Sequence, residues 1–139
     1  MSLPVHTTPE EAEAAFYGAF EAADLDAMMA VWLQDEAVVC IHPGGPRLEG
    51  PEAVRSGWAE VFGSGQRLRF ALREQIRIRD ALLSIHLVKE YVHVDDVLRG
   101  VVLATNVYQQ VDGGWYMILH HASPDPASEV ERPEGEAVH

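Results

Sequence analysis

The chain has 139 residues, 47% of them hydrophobic, and a formal net charge of −12. That is enough for one domain with a real core, and it excludes disorder as the general state. The acidic balance speaks against nucleic acid or an anionic membrane as partner, no apolar run reaches the ~20 residues of a membrane helix, and one cysteine, Cys40, allows no internal disulfide, so a cytoplasmic setting is expected.

Thr8-Pro9-Glu10-Glu11 reads as a helix start: Thr8 as N-cap, Pro9 in the first turn, and Glu11 completing a capping box. Ala12, Ala15, Phe16, Ala19 and Phe20 follow at helical spacing. Asp24 caps a second, short helix through Met28, Met29 and Trp32. A strand from Ala37 to His42 comes next, ended by Pro43-Gly44-Gly45-Pro46, through which no regular element continues. Pro51 opens a third helix carrying Val54, Trp58, Val61 and Phe62, closed by Gly63-Ser64-Gly65.

Beyond Gly65 the period falls from about 3.6 residues to 2. Leu68, Phe70, Leu72, Ile76 and Ile78 share one file with Glu74, while Arg67, Arg69, Arg73, Arg77 and Arg79 share the other. The arginine file is expected to be a solvated or dimer face paired with acids. Turns near Asp80 and at Asp95-Asp96 delimit two further strands, and Val111-Asp112-Gly113-Gly114 turns the chain into a closing strand from Trp115 to Ser123. Residues 1–36 hold eight acids without a Lys or Arg, and residues 124–139 hold five acids with one Arg. One domain over 1–123 followed by a flexible acidic tail over 124–139 is the expected organisation.

Helices segregated from consecutive antiparallel strands predict an α+β fold. Gly50-Pro51-Glu52-Ala53-Val54-Arg55, Ala104-Thr105-Asn106-Val107-Tyr108 and Trp115…His121-Ala122-Ser123 resemble, in that order, the third helix and last two strands of the SnoaL-like branch of the NTF2-like superfamily. The resemblance implies a cystatin-like cone. Three helices from the N-terminal half would pack on a strongly curved antiparallel sheet, with a mostly apolar pocket at the mouth and a homodimer on the convex face. It does not fix a reaction, since the superfamily contains ketosteroid isomerase, polyketide cyclases, limonene epoxide hydrolase and pure association domains.

Relatives of the isomerase type carry an aspartate base on the first strand and a tyrosine on helix one. Here the first strand holds no carboxylate, and Tyr17 lies on helix one. Proton transfer therefore falls to histidine, which titrates near neutral pH. His42 ends the first strand at the cavity mouth. Of His120 and His121 only one can face inward, and the family pattern favours His121 together with Ser123. Asn106, mid-strand, would orient a histidine or donate to a ligand oxygen, and Tyr17 or Ser123 would help hold that oxygen. Glu74 is either a desolvated base or turned outward by a bulge. Ser84, His86 and Glu90 share a file that is either a polar patch in the pocket or a solvated face. Trp32 and Trp58 are core residues able to line the pocket.

No HxH or HExxH spacing suggests a metal, Cys40 reads as an inert packing thiol, and no cofactor is expected. The expected function is binding of a small apolar or carbonyl compound, with cofactor-independent acid/base catalysis of isomerase, cyclase or hydrolase type. The alternatives are a non-catalytic ligand-binding module and a dimeric association scaffold.

Overall fold

In the computed structural model, which describes residues 6–127, three helices cover one face of a six-stranded sheet. Helix α1 (Pro9–Ala22) starts where Thr8 Oγ1 accepts from Glu11 N at 3.1 Å and Glu11 accepts from Thr7 N at 2.9 Å. It ends at Ala23, whose left-handed backbone (φ 52°) donates to the Ala19 and Phe20 carbonyls. Helix α2 (Leu25–Val31) is capped by Asp24, which accepts from Ala27 N at 3.0 Å. Helix α3 (Pro51–Gly63) follows Gly50.

The strands are β1 (Val39–Ile41), β2 (Arg47–Glu49), β3 (Leu68–Arg79), β4 (Leu83–Val94), β5 (Val97–Val111) and β6 (Gly114–Pro124), in spatial order β2-β1-β6-β5-β4-β3. Two of the reversals carry Asp95-Asp96 and Asp112-Gly113, all with positive φ, as tight hairpin turns require. The sheet is mixed rather than wholly antiparallel, because β1 runs parallel to β6. Strand β2 was not expected. Its three residues are too few to show an alternation, and it forms because the His42–Pro46 loop folds Arg47–Glu49 back on β1.

Two bulges decide which side chains reach the interior. Between Arg73 and Ile76, β3 holds one residue more than its partner β4, and Glu74 takes φ 48°. The parity of the strand flips there. Leu68, Phe70 and Leu72 pack on the core, whereas Ile76 and Ile78 are 56% and 57% exposed on the outer face. The arginine file splits with it, and Arg77 and Arg79 turn inward: Arg77 bonds Glu13 at 2.9 Å and Arg79 lies 5.4 Å over the Trp115 ring. Glu74 points outward to Lys89 at 3.2 Å and borders a groove on the outer face rather than the interior under the helices.

The second bulge inserts Ile118 in β6, where Val107 pairs with Leu119 but Tyr108 with Met117. Trp115 and Met117 face the helices, and beyond the bulge so do His120 and Ala122. The expectation of His121 and Ser123 inside is therefore corrected: both are exposed on the outer face. The acidic tail lies outside the described residues from 128 onward.

Aromatic rings fill the space under the helices. Phe16 meets Trp58, Phe20 and Tyr17 edge-on at 5.6, 6.0 and 4.8 Å, and Phe20 stacks obliquely on Phe70 at 4.5 Å.

Candidate functional site

The inner face of the sheet is not uniformly apolar. Ser84, His86 and Glu90 on β4, Asn106 on β5, His120 on β6 and Glu13 on α1 are all buried. Buried polar groups demand partners, and these residues find them in two separate networks.

The first network crosses three strands and α1. His120 Nδ1 is 2.6 Å from Asn106 Oδ1, Asn106 Nδ2 donates to the Tyr17 hydroxyl at 2.9 Å, and Tyr17 donates to Glu90 Oε2 at 2.6 Å. Asn106 Oδ1 only accepts, so His120 Nδ1 is the donor and the lone pair of the neutral ring lies on Nε2. Burial, and then the neighbouring Glu90 charge, push the Tyr17 hydroxyl well above its ordinary value, keeping it a neutral donor. Phe16 at 5.1 Å and Trp58 at 5.7 Å hold the His120 ring.

The second network ties α1 to β3 and β4. His86 Nδ1 donates to Glu13 Oε2 at 2.7 Å, Arg77 donates to Glu13 Oε1 at 2.9 Å, and Ser84 Oγ lies 2.8 Å from His86 Nε2. Burial alone would raise the Glu13 pKa, but the hydrogen bonds from His86 and Arg77 outweigh it and hold the carboxyl below its ordinary value. Serine, imidazole and carboxylate stand in the order of a nucleophile relay. Ser84, however, is wholly buried at the start of β4, and Arg77 occupies the other carboxylate oxygen. The arrangement is an interior tie, with His86 here rather than in a pocket.

His42 connects the interior with solvent. It lines a cleft of about 350 Å³ together with Pro46, Leu48, Gly57, Val61 and Gln66. Its ring meets the edge of Trp58 at 4.6 Å and stands 6.2 Å from His120, while Nε2 lies 3.6 Å from Cys40 Sγ. Gly57 leaves room for this approach: a Cβ there would make the tip of the Leu48 side chain turn aside and would touch the His42 ring at 3.4 Å. Burial pushes the Cys40 thiol far up, which makes it a packing group.

The structure thus brings His42, Asn106, Tyr17 and Trp58 of the expected residues around His120, and leaves out Glu74, His86, His121 and Ser123. Trp32 packs in the core beside Met117 and borders a different cleft, with Met29, Leu33 and Tyr116. Sequence reasoning missed Glu13. Its signal was the i, i+4 spacing to Tyr17, a polar stripe beside the apolar Ala12-Phe16 stripe. Among the described residues, no three His, Cys, Asp or Glu side chains are arranged to hold a metal ion, and no helix is long and apolar enough to cross a membrane.

Known proteins give these features a family setting. A Thiobacillus denitrificans protein provisionally named a calcium/calmodulin-dependent protein kinase type II association domain is 48% identical, covering 88% of this chain and 99% of its own, with a TM-score of 0.83. A Streptomyces avermitilis protein, provisionally named a dehydratase of the NTF2-like family, is 28% identical over 86% of this chain and 100% of its own, with a TM-score of 0.76. The F-box protein SKIP8 of Arabidopsis thaliana is 33% identical over 100 residues, 71% of this chain, and the match spans only 42% of that protein. Residues 10–127 match the SnoaL-like domain family, and the chain belongs to it, with an α+β fold of NTF2 type.

Proposed function

We propose that the chain binds a small apolar carbonyl compound in the cleft at His42, and that His42 moves a proton on it with His120, enclosed behind it, as its acid/base partner. The carrying observation is the directed hydrogen-bond chain behind His120, which makes Nε2 the basic atom of a ring 6.2 Å from the cleft-facing His42. Asn106 and Tyr17 act as supports in this reading, since each already bonds within the chain. The buried thiol of Cys40 suits a reducing, cytoplasmic setting.

The test is incorporation of solvent deuterium at the α-carbon of small cyclic ketones, followed by NMR. The wild-type protein is expected to catalyse it. His120→Ala should lose about 10²-fold or more, the usual worth of a positioned acid/base group, and His42→Ala should be similarly impaired. Exchange at the wild-type rate in both variants would remove the proposal.

A second reading, a homodimeric association module, has its own support. The parity flip in β3 exposes Ile76 and Ile78 beside Leu103 on the outer face, where a groove also takes in Leu87 and Thr105. The relative from Thiobacillus carries an association-domain name. A dimer by light scattering is expected for the wild type, and a folded monomer for Ile76→Glu/Ile78→Glu. A wild-type monomer at high concentration would end this reading.

A further inference from the structure

We infer that Glu90 is the positioning residue of the His120 site, and that through Tyr17 and Asn106 it decides which nitrogen of His120 carries the proton. This rests on the proposed reading of His120 as an acid/base group. Counting donors and acceptors along the chain fixes its direction. A carboxylate accepts and does not donate, so the 2.6 Å contact commits the one hydroxyl proton of Tyr17 to Glu90. The Tyr17 oxygen then has only lone pairs left, and the group it meets at 2.9 Å must be the NH₂ end of Asn106. With the amide held that way round, its oxygen faces His120 Nδ1 at 2.6 Å and selects the Nδ1–H form.

Each member of the chain is buried, with Glu90, Asn106 and His120 at 0% exposure and Tyr17 at 6%. Bulk water is thus excluded from the links, and a reversal would require the amide to flip and the hydroxyl to turn together. The members also come from four different elements. Glu90 is on β4, Asn106 on β5, His120 on β6 and Tyr17 on α1, so the direction of the chain is a property of the assembled fold. The Glu13–His86, Glu13–Arg77 and Ser84–His86 bonds of the second network run between other side chains, so a substitution at Glu90 or Tyr17 leaves those groups in place.

Long-range nitrogen–proton correlation spectra of the whole chain, with histidine ring nitrogens labelled, test this directly. The His120 signal is assigned as the one lost in His120→Ala. It is expected in the Nδ1–H form in the wild-type protein. Tyr17→Phe, which keeps the ring and removes the link, should move the tautomer ratio toward Nε2–H by about fivefold, the weight of one hydrogen bond. Glu90→Met should move it in the same direction. If Glu90→Met does not fold, Glu90→Gln, whose amide can donate to the Tyr17 oxygen, takes its place and should move the ratio the same way. A wild-type His120 protonated on Nε2, or a ratio unmoved in the folded variants, overturns the inference.

Deuterium exchange into the ketones, measured on the same samples, separates the two claims. A tautomer that responds while His120→Ala exchanges normally leaves Glu90 as positioning residue and removes the proton-transfer reading. An unmoved tautomer with exchange lost in His120→Ala does the reverse.

Discussion

Glu13→Ala is expected to cost about 3–5 kcal/mol of unfolding free energy, the usual penalty for removing one partner of a buried ion pair. The carboxylate accepts from His86 at 2.7 Å and from Arg77 at 2.9 Å, and His86 is wholly enclosed. Without Glu13 the His86 Nδ1–H is left in the interior with its acceptor gone. Arg77 is 39% exposed and can return to water, which favours the lower end of the range. The carboxyl also carries an acid dependence. Its folded pKa lies below the ordinary 4.5, since the bonds from His86 and Arg77 outweigh the opposing effect of burial. Its contribution is therefore fully present above the unfolded value and is lost as pH falls from there through the folded value. Urea unfolding across that acid range should show a steep limb in the wild type and a flatter one in Glu13→Gln. An unchanged midpoint in Glu13→Ala, or an identical acid limb in Glu13→Gln, would contradict this account.

The same residue shows where sequence reasoning stops. Local signals were legible: Thr8 and Asp24 cap their helices, the Asp112-Gly113 turn makes its hairpin, and the three helices come in the expected order. Files on bulge-free stretches were legible too, as with Ser84, His86 and Glu90, although the structure makes that file neither a solvated face nor a pocket lining but part of the enclosed interior. What failed was parity across a bulge. One inserted residue exchanges the two faces of a strand, and Ile118, an ordinary apolar residue, carries no mark that it is the extra one. Without that bulge His121, which the family pattern favours, would share the inward file of Trp115 and Met117. The bulge at Glu74 was foreseeable as an alternative, because a carboxylate in an apolar file is an anomaly. Its consequence, Arg77 turned toward Glu13, depends on α1 lying above it, a tertiary fact that no strand pattern contains.

Both buried networks depend on α1, which contributes Glu13 to one and Tyr17 to the other, four residues and about one helical turn apart. The apolar stripe of α1 supplies the burial, and its polar stripe supplies register. Ala12 and Phe16 would still pack after a small slide along the sheet. Glu13 and Tyr17 would not reach His86 and Glu90 from any other position. This double pinning places Phe16 against His120, so the candidate site inherits its geometry from polar contacts several residues away.

Trp58→Ala is expected to open the interior at the point where the cleft meets His120. Trp58 is fully buried, and its ring lies 4.6 Å from His42, 4.8 Å from Phe20, 5.6 Å from Phe16 and 5.7 Å from His120. Truncation should cost about 3–5 kcal/mol, as transfer and cavity terms add at a site whose rings cannot collapse. Its indole nitrogen has no hydrogen-bond partner among the described residues, so truncation strands no polar group, and the loss is one of packing. The cavity would be walled by aromatic rings with His42 on the cleft side, a shape that indole itself should fill. A ligand that binds only the folded state raises its stability as its concentration passes the dissociation constant. Indole should therefore raise the melting temperature of Trp58→Ala, leave the wild type unmoved, and shift the His42 and His120 resonances of the variant alone. If the variant loses stability but ignores indole, the rings have collapsed into the gap. Trp58 would then be a core residue with no part in separating the cleft from His120.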